Sequence, residues 1–526
     1  MITGIGGLAL AVPAATATAA QPLANTAAAP TWATGGNDLT VDRNQPFETK
    51  VGASNAATLH PKWAATVGGD VSATPSVDKK NVYFPDSKGD VYAFNNSNGH
   101  LVWRASVSAI TGIPGDYARD TPAIAGPNLI LGDQGGKFGT PSNPTGAWVF
   151  ALNSKTGALV WKTQVDPEFS AIVSQSAQVV GTTAYVGVAS NEEAYAASAY
   201  NQGTFNCCTF RGSMLALDTK TGAIKWQTYT VPTGYSGAGV WGSTPAIDRS
   251  RGQVYITTGN NYSAPASAIA CMQTASNPKS CMDPADHFDS MLALNLKTGA
   301  IVWSMNGLVE SDVWNLDCGL GFPPFDTVGP NCPAGAGPDF DFGQAPAMLT
   351  VTVNGAQRDV VGAGQKSGDY WLVDRSTGGI VWHTKVGPGG TLGGAEWGSA
   401  TDGNQIYVAN ANSGNLLQPG FWAALNPNTG AVNWTTSDPA FTPFTYSAVG
   451  AVSVANGVVY ACTMNATGTM FAMDAQTGAV LWSFNPGGSC NAGPAIANGT
   501  VYWGSGYGAF APLSTPNNTF YAFTTA

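Results

Sequence analysis

Cys207 and Cys208 are neighbours in the chain. A disulfide between adjacent cysteines closes only an eight-membered ring, rigid and useless for tying distant segments together; the other reading is two reduced thiols in a loop. Trp241, in Gly239-Val-Trp241-Gly-Ser-Thr-Pro245, offers an aromatic plane suited to a planar cofactor. It stands just before a small-residue segment where a core indole has little room. Oxygen donors and possible proton acceptors occur in Ser190-Asn-Glu192-Glu193, at Asn260, and in Asp312-Val-Trp314-Asn315-Leu-Asp317. Several common chemistries are missing. There is no GxSxG elbow, and Gly132–Lys137 has the wrong spacing for a phosphate-binding loop. The glycines at 362, 364 and 368 precede an expected strand, not the helix of a dinucleotide fold. Only four His occur, scattered, with no CxxC or CxxCH, which argues against zinc and covalent haem.

The composition narrows the field further. Only 10% of the 526 residues are charged, whereas Gly (65), Pro (33), Trp (16) and Tyr (17) are abundant. A helical bundle would need Leu, Glu and Lys in bulk. A formal charge of −10 with 22 Lys plus Arg excludes nucleic-acid binding by phosphate neutralisation. Residues 1–37 carry no charge, and the run from Ile2 to Ala20 ends in Ala17-Thr-Ala19 like a signal-peptidase site. It lacks a basic start, so residues 1–37 read as a signal-like or disordered leader, with Met1 inside a longer signal sequence. No integral membrane segment is expected in the mature chain. The eight cysteines, an even count, imply disulfides and a periplasmic or secreted protein, with 271–281 and 318–332 paired by proximity.

One repeat must position all of these residues. An alternating strand, Asn/Asp-x-x-Thr-Gly (Asn-Gly in the first copy), and a second strand ending in Trp recur at Trp103, Trp161, Trp226, Trp303, Trp382, Trp434 and Trp482. Gly supplies the tight turn of a β-hairpin. Another strand lies upstream of each hairpin, and before it comes a small-residue segment such as Ser243-Thr-Pro-Ala246. Four strands per unit, small at the axis and aromatic at the rim, make a wedge-shaped propeller blade. The last unit lacks its Trp strand, and Leu59-His-Pro-Lys-Trp63 near the start can supply it. The fold predicted for residues 38–526 is one all-β, eight-bladed propeller of four-stranded blades, its ring closed by strands from both ends.

In this repeat, residues 38–526 resemble the pyrroloquinoline quinone (PQQ) dehydrogenases. Ser190-Asn-Glu-Glu193 with Cys207-Cys-Thr-Phe-Arg-Gly212 places the similarity nearest the polyvinyl-alcohol-dehydrogenase-like branch. The resemblance implies an indole floor at Trp241 and a Cys207–Cys208 lid for the quinone. It implies further cofactor contacts at Arg119, Ser190, Lys366 and Trp397, and Ca²⁺ or a larger cation held by Glu193 (with Glu192 as competitor) and Asn260. It also implies oxidation of an alcohol, bulky or secondary and possibly polymeric, with electrons leaving to an external acceptor such as cytochrome c. Where the family carries its catalytic Asp after Trp, this chain has Asn315, which cannot accept a proton at neutral pH. Asp317, or else Asp312, is then expected to be the base. Inserts at 262–290 and 308–343 are expected to roof the site. Two rivals stay open: a non-catalytic scaffold, since outer-membrane assembly propellers share the repeat, and a cofactor-binding sensor without turnover.

Overall fold

The computed structural model describes residues 31–136, 145–197, 205–308, 310–321, 326–511 and 513–526. Eight antiparallel four-stranded arrays follow one another, as the repeat predicts, and short helices such as Ala266–Met272 occur only in connections. Blade 4 is representative: Ala246–Asp248, Gln253–Thr257, Ser290–Asn295 and Ile301–Asn306 pair in chain order. Blade 3 gains a further short strand, Ala171–Ile172, beside Thr183–Ser190. Blade 8 is the composite one. Ala495–Ala497, Thr500–Gly504 and Thr519–Thr524 come from one end of the chain, and His60–Thr66 from the other, with Ala65 opposite Phe520.

The Trp motif works between blades, not within them. Trp226 closes blade 3, and its indole N–H donates to the Leu296 carbonyl in the hairpin turn of blade 4 (3.0 Å). That turn is set by Asn295, whose side-chain oxygen accepts the amides of Lys297 and Thr298. Gly299 follows at φ 73°, and a Cβ there would come within 2.5 Å of the Trp226 ring. Glycine is therefore required twice, for the left-handed backbone and for the approach of the indole. The same bond repeats around the ring, from Trp63 to Asn96, Trp103 to Ser154 and Trp161 to Thr219. It continues from Trp303 to Arg375, Trp382 to Pro427 and Trp434 to Ala475. In the closing blade Trp482 donates to Leu59, beside the strand borrowed from the other end (2.8 Å).

The axis is closed on one side by residues 32–45, which visit every blade in turn. Trp32, fully buried, exchanges backbone bonds with Val77 of blade 1. Ala33 accepts from Ile124 of blade 2, and the Thr34 hydroxyl donates to Ala177 beside blade 3. Leu39, Thr40 and Asp42 accept from Ile247, Met348 and Thr401 of blades 4 to 6. Arg43 and Gln45 bond Val454 of blade 7, and the Gln45 side chain donates to Ile496 of blade 8. Residues 31–37 thus pack against the propeller; the remainder of the expected leader lies outside the described residues. Among the described residues no helix is long and apolar enough to cross a membrane.

Candidate active site

Arg119, Trp241 and Trp397 each stand a few residues ahead of an innermost strand, and with Gly35 and Arg43 of the axial segment they line one small cavity. A larger cavity, of about 220 Å³, has Trp397 on its wall as well. Its deep wall carries Ser190, Glu193, Trp314, Asp339, Lys366 and Glu396; Leu320, Leu392, Tyr446, Met464 and Phe510 give it an apolar side. Trp314 and Leu320 come from the 308–343 insert, so that insert does contribute to the wall.

Lys366 is the centre of the charged wall. It follows the blade 5 strand Ala356–Gly364, in the tight turn before Asp369–Asp374. Its ammonium donates to both oxygens of Asp339 (2.9 and 3.0 Å), lies 3.4 Å from Asp341, and stands 5.6 Å from the centroid of the Trp241 ring. Asp341 in turn accepts the Trp241 indole N–H (2.9 Å) and the Asn260 amide (2.6 Å). The Trp241 indole is thereby pinned in its plane and cannot swing about χ2 without breaking a charge-assisted bond. Trp397 meets Trp241 edge to face at 5.6 Å, and the Arg119 guanidinium lies over Trp397, donating to the Tyr507 hydroxyl.

Burial sets the protonation of this wall. It pushes Glu193 up to about 8, against the pull of Lys366 and with Asp341 and Asp312 adding to it. Burial likewise holds Asp339 well above the usual carboxylate range, although Lys366 pulls it down, and raises Glu396 to about 7. Burial works against the Lys366 ammonium, yet Asp339 and Asp341 outweigh it and keep the group charged. Four carboxyl groups around one ammonium leave a place that a divalent cation would balance.

The donor set fits a hard cation. Asn260 is fully buried; its amide nitrogen donates to the carbonyls of Asn261 and Trp314, while its side-chain oxygen has no hydrogen-bond partner. An orphaned amide oxygen fixed in one orientation is what a calcium ligand needs. The two adjacent glutamates are placed differently. Glu192 accepts the amides of Thr209 and Phe210 and clamps the segment after the paired cysteines, whereas Glu193 lines the cavity. Ser190 lines it too and accepts the Glu192 amide (2.7 Å). Among the described residues no group of three or more His, Cys, Asp or Glu is arranged to hold a metal ion by itself.

Cys207 and Cys208 are joined as a disulfide across a cis peptide, and the pairs 271–281 and 318–332 form as proximity predicts. Cys462 pairs with Cys490, a bond not anticipated from the sequence. Asn315 lies beneath the vicinal pair. Its amide donates to the carbonyls of Asn331 and Tyr262 and approaches the Cys207 sulfur at 3.6 Å, and its oxygen accepts the Asp317 amide. Asp317 accepts the Asn331 amide (2.7 Å) and is not among the cavity-lining residues. Asp312 accepts the amides of Asp339 and Phe340 with its two oxygens (3.0 and 2.7 Å). The stretch 312–317 therefore brackets the site, and Asp312 delivers Asp339 to it.

Asp339, Asp341 and Glu396 are the wall residues that motif reading passed over. A signal exists for Glu396 alone. Glu396 precedes the innermost strand Ala400–Thr401 by four residues, as Arg119 precedes Ala123–Ala125, whereas Asp339 and Asp341 stand eight and six residues ahead of Ala347–Val353 and share no such offset. In a propeller, side chains at that offset face the axis.

A family model described as outer membrane protein assembly factor BamB (PQQ_2) matches residues 29–305 and 285–523. A polyvinylalcohol dehydrogenase of a Pseudomonas species is 30% identical over 92% of this chain and 74% of its own length. The chain belongs to the polyvinylalcohol dehydrogenase family of PQQ-repeat proteins. A second family member, from a Sphingopyxis species, is 28% identical over 85% of this chain and 68% of its own. Among solved structures, a quinohemoprotein alcohol dehydrogenase of Pseudomonas putida superposes with a TM-score of 0.72 at 16% identity, over 94% of this chain and 80% of that one. One from Comamonas testosteroni gives 0.69 at 19%, over 95% and 81%. At those identities the likeness is one of fold, and the family assignment rests on the relatives near 30%.

Proposed function

We propose that this family member oxidises an alcohol, bulky or secondary and possibly polymeric, with PQQ on the Trp241 floor and Ca²⁺ between Glu193 and Asn260. The observation that carries the reading is the Lys366–Asp339 pair on the wall of a cavity whose other side is apolar. PQQ, when bound, supplies a two-electron acceptor for the hydrogen leaving the alcohol carbon, and the cation supplies Lewis acidity.

The chain's own residues do the rest. Trp241 and the Cys207–Cys208 ring offer two flat faces for a planar cofactor, and Lys366 offers it an ammonium. Arg119 offers a guanidinium to a cofactor carboxylate. Leu392, Met464 and Phe510 exclude water from an aliphatic substrate. Asp339 is the base in this proposal, in place of Asp317 or Asp312. It lines the cavity, and although burial favours its protonated form, the Lys366 ammonium favours the ionised one that would accept the hydroxyl proton; Asp312 and Asp317 accept backbone amides and do not line the cavity. Electrons then leave to an external acceptor such as cytochrome c. Four disulfides fit an oxidising, periplasmic or extracellular compartment.

Reconstituting the purified chain with PQQ and Ca²⁺, then following dye reduction with secondary alcohols and polyvinyl alcohol oligomers, tests the reading. Cofactor-dependent reduction supports it. Failure to take up PQQ leaves a scaffold, and uptake without turnover leaves a sensor.

A further inference from the structure

One acid that does not line the cavity is linked to it by hydroxyl groups. Glu168 lies just ahead of Ala171–Ile172, the extra short strand of blade 3, whose pairing sets Ala171 opposite Ser190. The Asn191 amide donates to the Ser170 carbonyl (2.9 Å), so Ser170 and Ser190 are held side by side. Their hydroxyl oxygens lie 2.9 Å apart. Ser170 is buried and donates twice to Oε2 of Glu168, through its amide (2.9 Å) and its hydroxyl (2.8 Å). At the other end Ser190 lines the active-site cavity with Glu193, Asp339 and Lys366.

While Glu168 is ionised, the hydrogens of this chain point one way. A serine hydroxyl has a single hydrogen, and that of Ser170 lies on Glu168, so Ser190 donates to Ser170. Ser190 also accepts the Glu192 amide (2.7 Å). What Ser190 has left for the cavity is a lone pair, able to take a proton and unable to offer one. Glu168 is suited to receive that proton. It is half-buried, and its Oε1 has no hydrogen-bond partner. Burial first, then the charge of Glu192, raises its pKa to about 7; the Ser170 bonds oppose this and Asp166 adds to it. Tyr195 packs on the neighbouring Phe169. A carboxyl that titrates near neutrality both takes a proton and gives it up to water.

We infer that Glu168, acting through Ser170 and Ser190, carries protons out of the active-site cavity. The inference rests on the oxidation proposed above. Turning an alcohol into a carbonyl sheds two electrons and two protons; the electrons go to the external acceptor, and the protons must reach water. A proton placed on the free lone pair of Ser190 sends the Ser190 hydrogen to Ser170 and the Ser170 hydrogen to Oε2 of Glu168. At each serine oxygen one O–H bond forms as another breaks. Glu168 then releases its proton to water and the two hydroxyls turn back. Glu168 touches no reacting atom in this scheme, so it is a positioning and relay residue.

Ser170→Ala cuts the chain and keeps both ends, whereas Glu168→Gln keeps the shape and removes the acceptor. In the PQQ- and Ca²⁺-loaded full chain, each should lower kcat for a secondary alcohol about tenfold. That is less than the 10²–10⁴ of a positioned base, since water offers slower routes. KM and PQQ uptake, read from the cofactor's absorbance, should stay near those of the parent. Added imidazole, a mobile proton carrier, should restore kcat in Ser170→Ala and leave the parent unchanged. A readout without turnover is infrared titration, where a protonated-carboxyl band should vanish as the pH rises through about 7 and be missing in Glu168→Gln. A parent that turns over while Ser170→Ala keeps its kcat overturns the inference alone. So does a loss of kcat that imidazole does not restore, which would make Ser170 structural, or a Glu168 that does not titrate near neutral pH. A parent that holds PQQ without turnover, or fails to hold it, ends the oxidation reading and this inference with it.

Discussion

The rim and the axis of this propeller are built on opposite plans. At the rim one interaction is repeated eight times, an indole N–H on the next blade's carbonyl, and seven of those eight indoles face a glycine of the next hairpin turn. On the charged wall no interaction recurs. Glu193 comes from blade 3, Asn260 and Asp339 from the long connections of blade 4, Lys366 from blade 5 and Glu396 from the approach to blade 6. Repetition gives the rim redundancy, so the loss of one copy leaves seven. The axial wall has no spare parts, and each charged group is balanced by a particular neighbour.

The sharpest test of that division is at Asp339. Asp339→Asn keeps the shape and one acceptor for Lys366 but removes the base. Turnover should fall by about 10²–10⁴-fold, the usual worth of a positioned base, while PQQ uptake and melting temperature stay near those of the parent. Asp317→Asn should leave turnover within a few-fold. If instead Asp317→Asn abolishes turnover and Asp339→Asn does not, the base lies in the 312–317 bracket.

At the rim the converse holds. Gly299→Ala puts a Cβ 2.5 Å from the Trp226 ring at a backbone φ of 73°. A loss of about 2–4 kcal/mol in unfolding free energy is expected, from strain and displaced indole together. The folded fraction should keep its turnover number, and a denaturant midpoint measured beside kcat separates the two effects. A fall in kcat of the folded enzyme would show that rim and axis are coupled.

Asn315→Asp probes the boundary between the two plans. It restores the acid that the family resemblance expects at this position. The site is fully buried, however, and the amide donates to the Asn331 and Tyr262 carbonyls. A carboxylate there would face two carbonyl oxygens, so a destabilisation of about 2–3 kcal/mol is expected, with no gain in rate. Unfolding titrations and dye-reduction rates on the same preparation check both halves.

What could be read from the residues follows this same division. The repeat is local, so Asn-x-x-Thr-Gly and the following Trp report hairpin, blade and ring closure without knowledge of what they touch. Trp241, Glu193, Asn260 and Lys366 could be singled out because each sits in a short segment of distinctive type. Asp339 and Asp341 could not, because their place depends on Asp312 reaching across an insert to hold two backbone amides. The circuit of residues 32–45 was hidden for a related reason. Its bonds are mostly backbone to backbone, with partners from Val77 to Ile496, and such contacts leave little trace in side-chain type.

That circuit supplies the smallest expected effect. Asp42 accepts the Asn44 amide and sits beside Asp38; burial first, then the Asp38 charge, raises its pKa to about 7 from an ordinary value of 3.8. Between those two values the folded chain binds a proton that the unfolded chain has lost. The stabilising contribution of the protonated carboxyl is therefore complete below about pH 4 and falls away as the pH rises through 7. Asp42→Asn keeps the acceptor for Asn44 and removes the titration. Native and variant stabilities should run together in acid and separate between pH 4 and 7, with the variant the more stable at pH 8. The gap is of the order of 1 kcal/mol, because the carboxyl is half-buried and solvent screens part of its charge. Other buried acids give slopes of the same sign, and subtracting the two curves isolates Asp42. A gap that is constant with pH would mean that Asp42 ionises freely in the folded chain and that the axial circuit is open to water at this point.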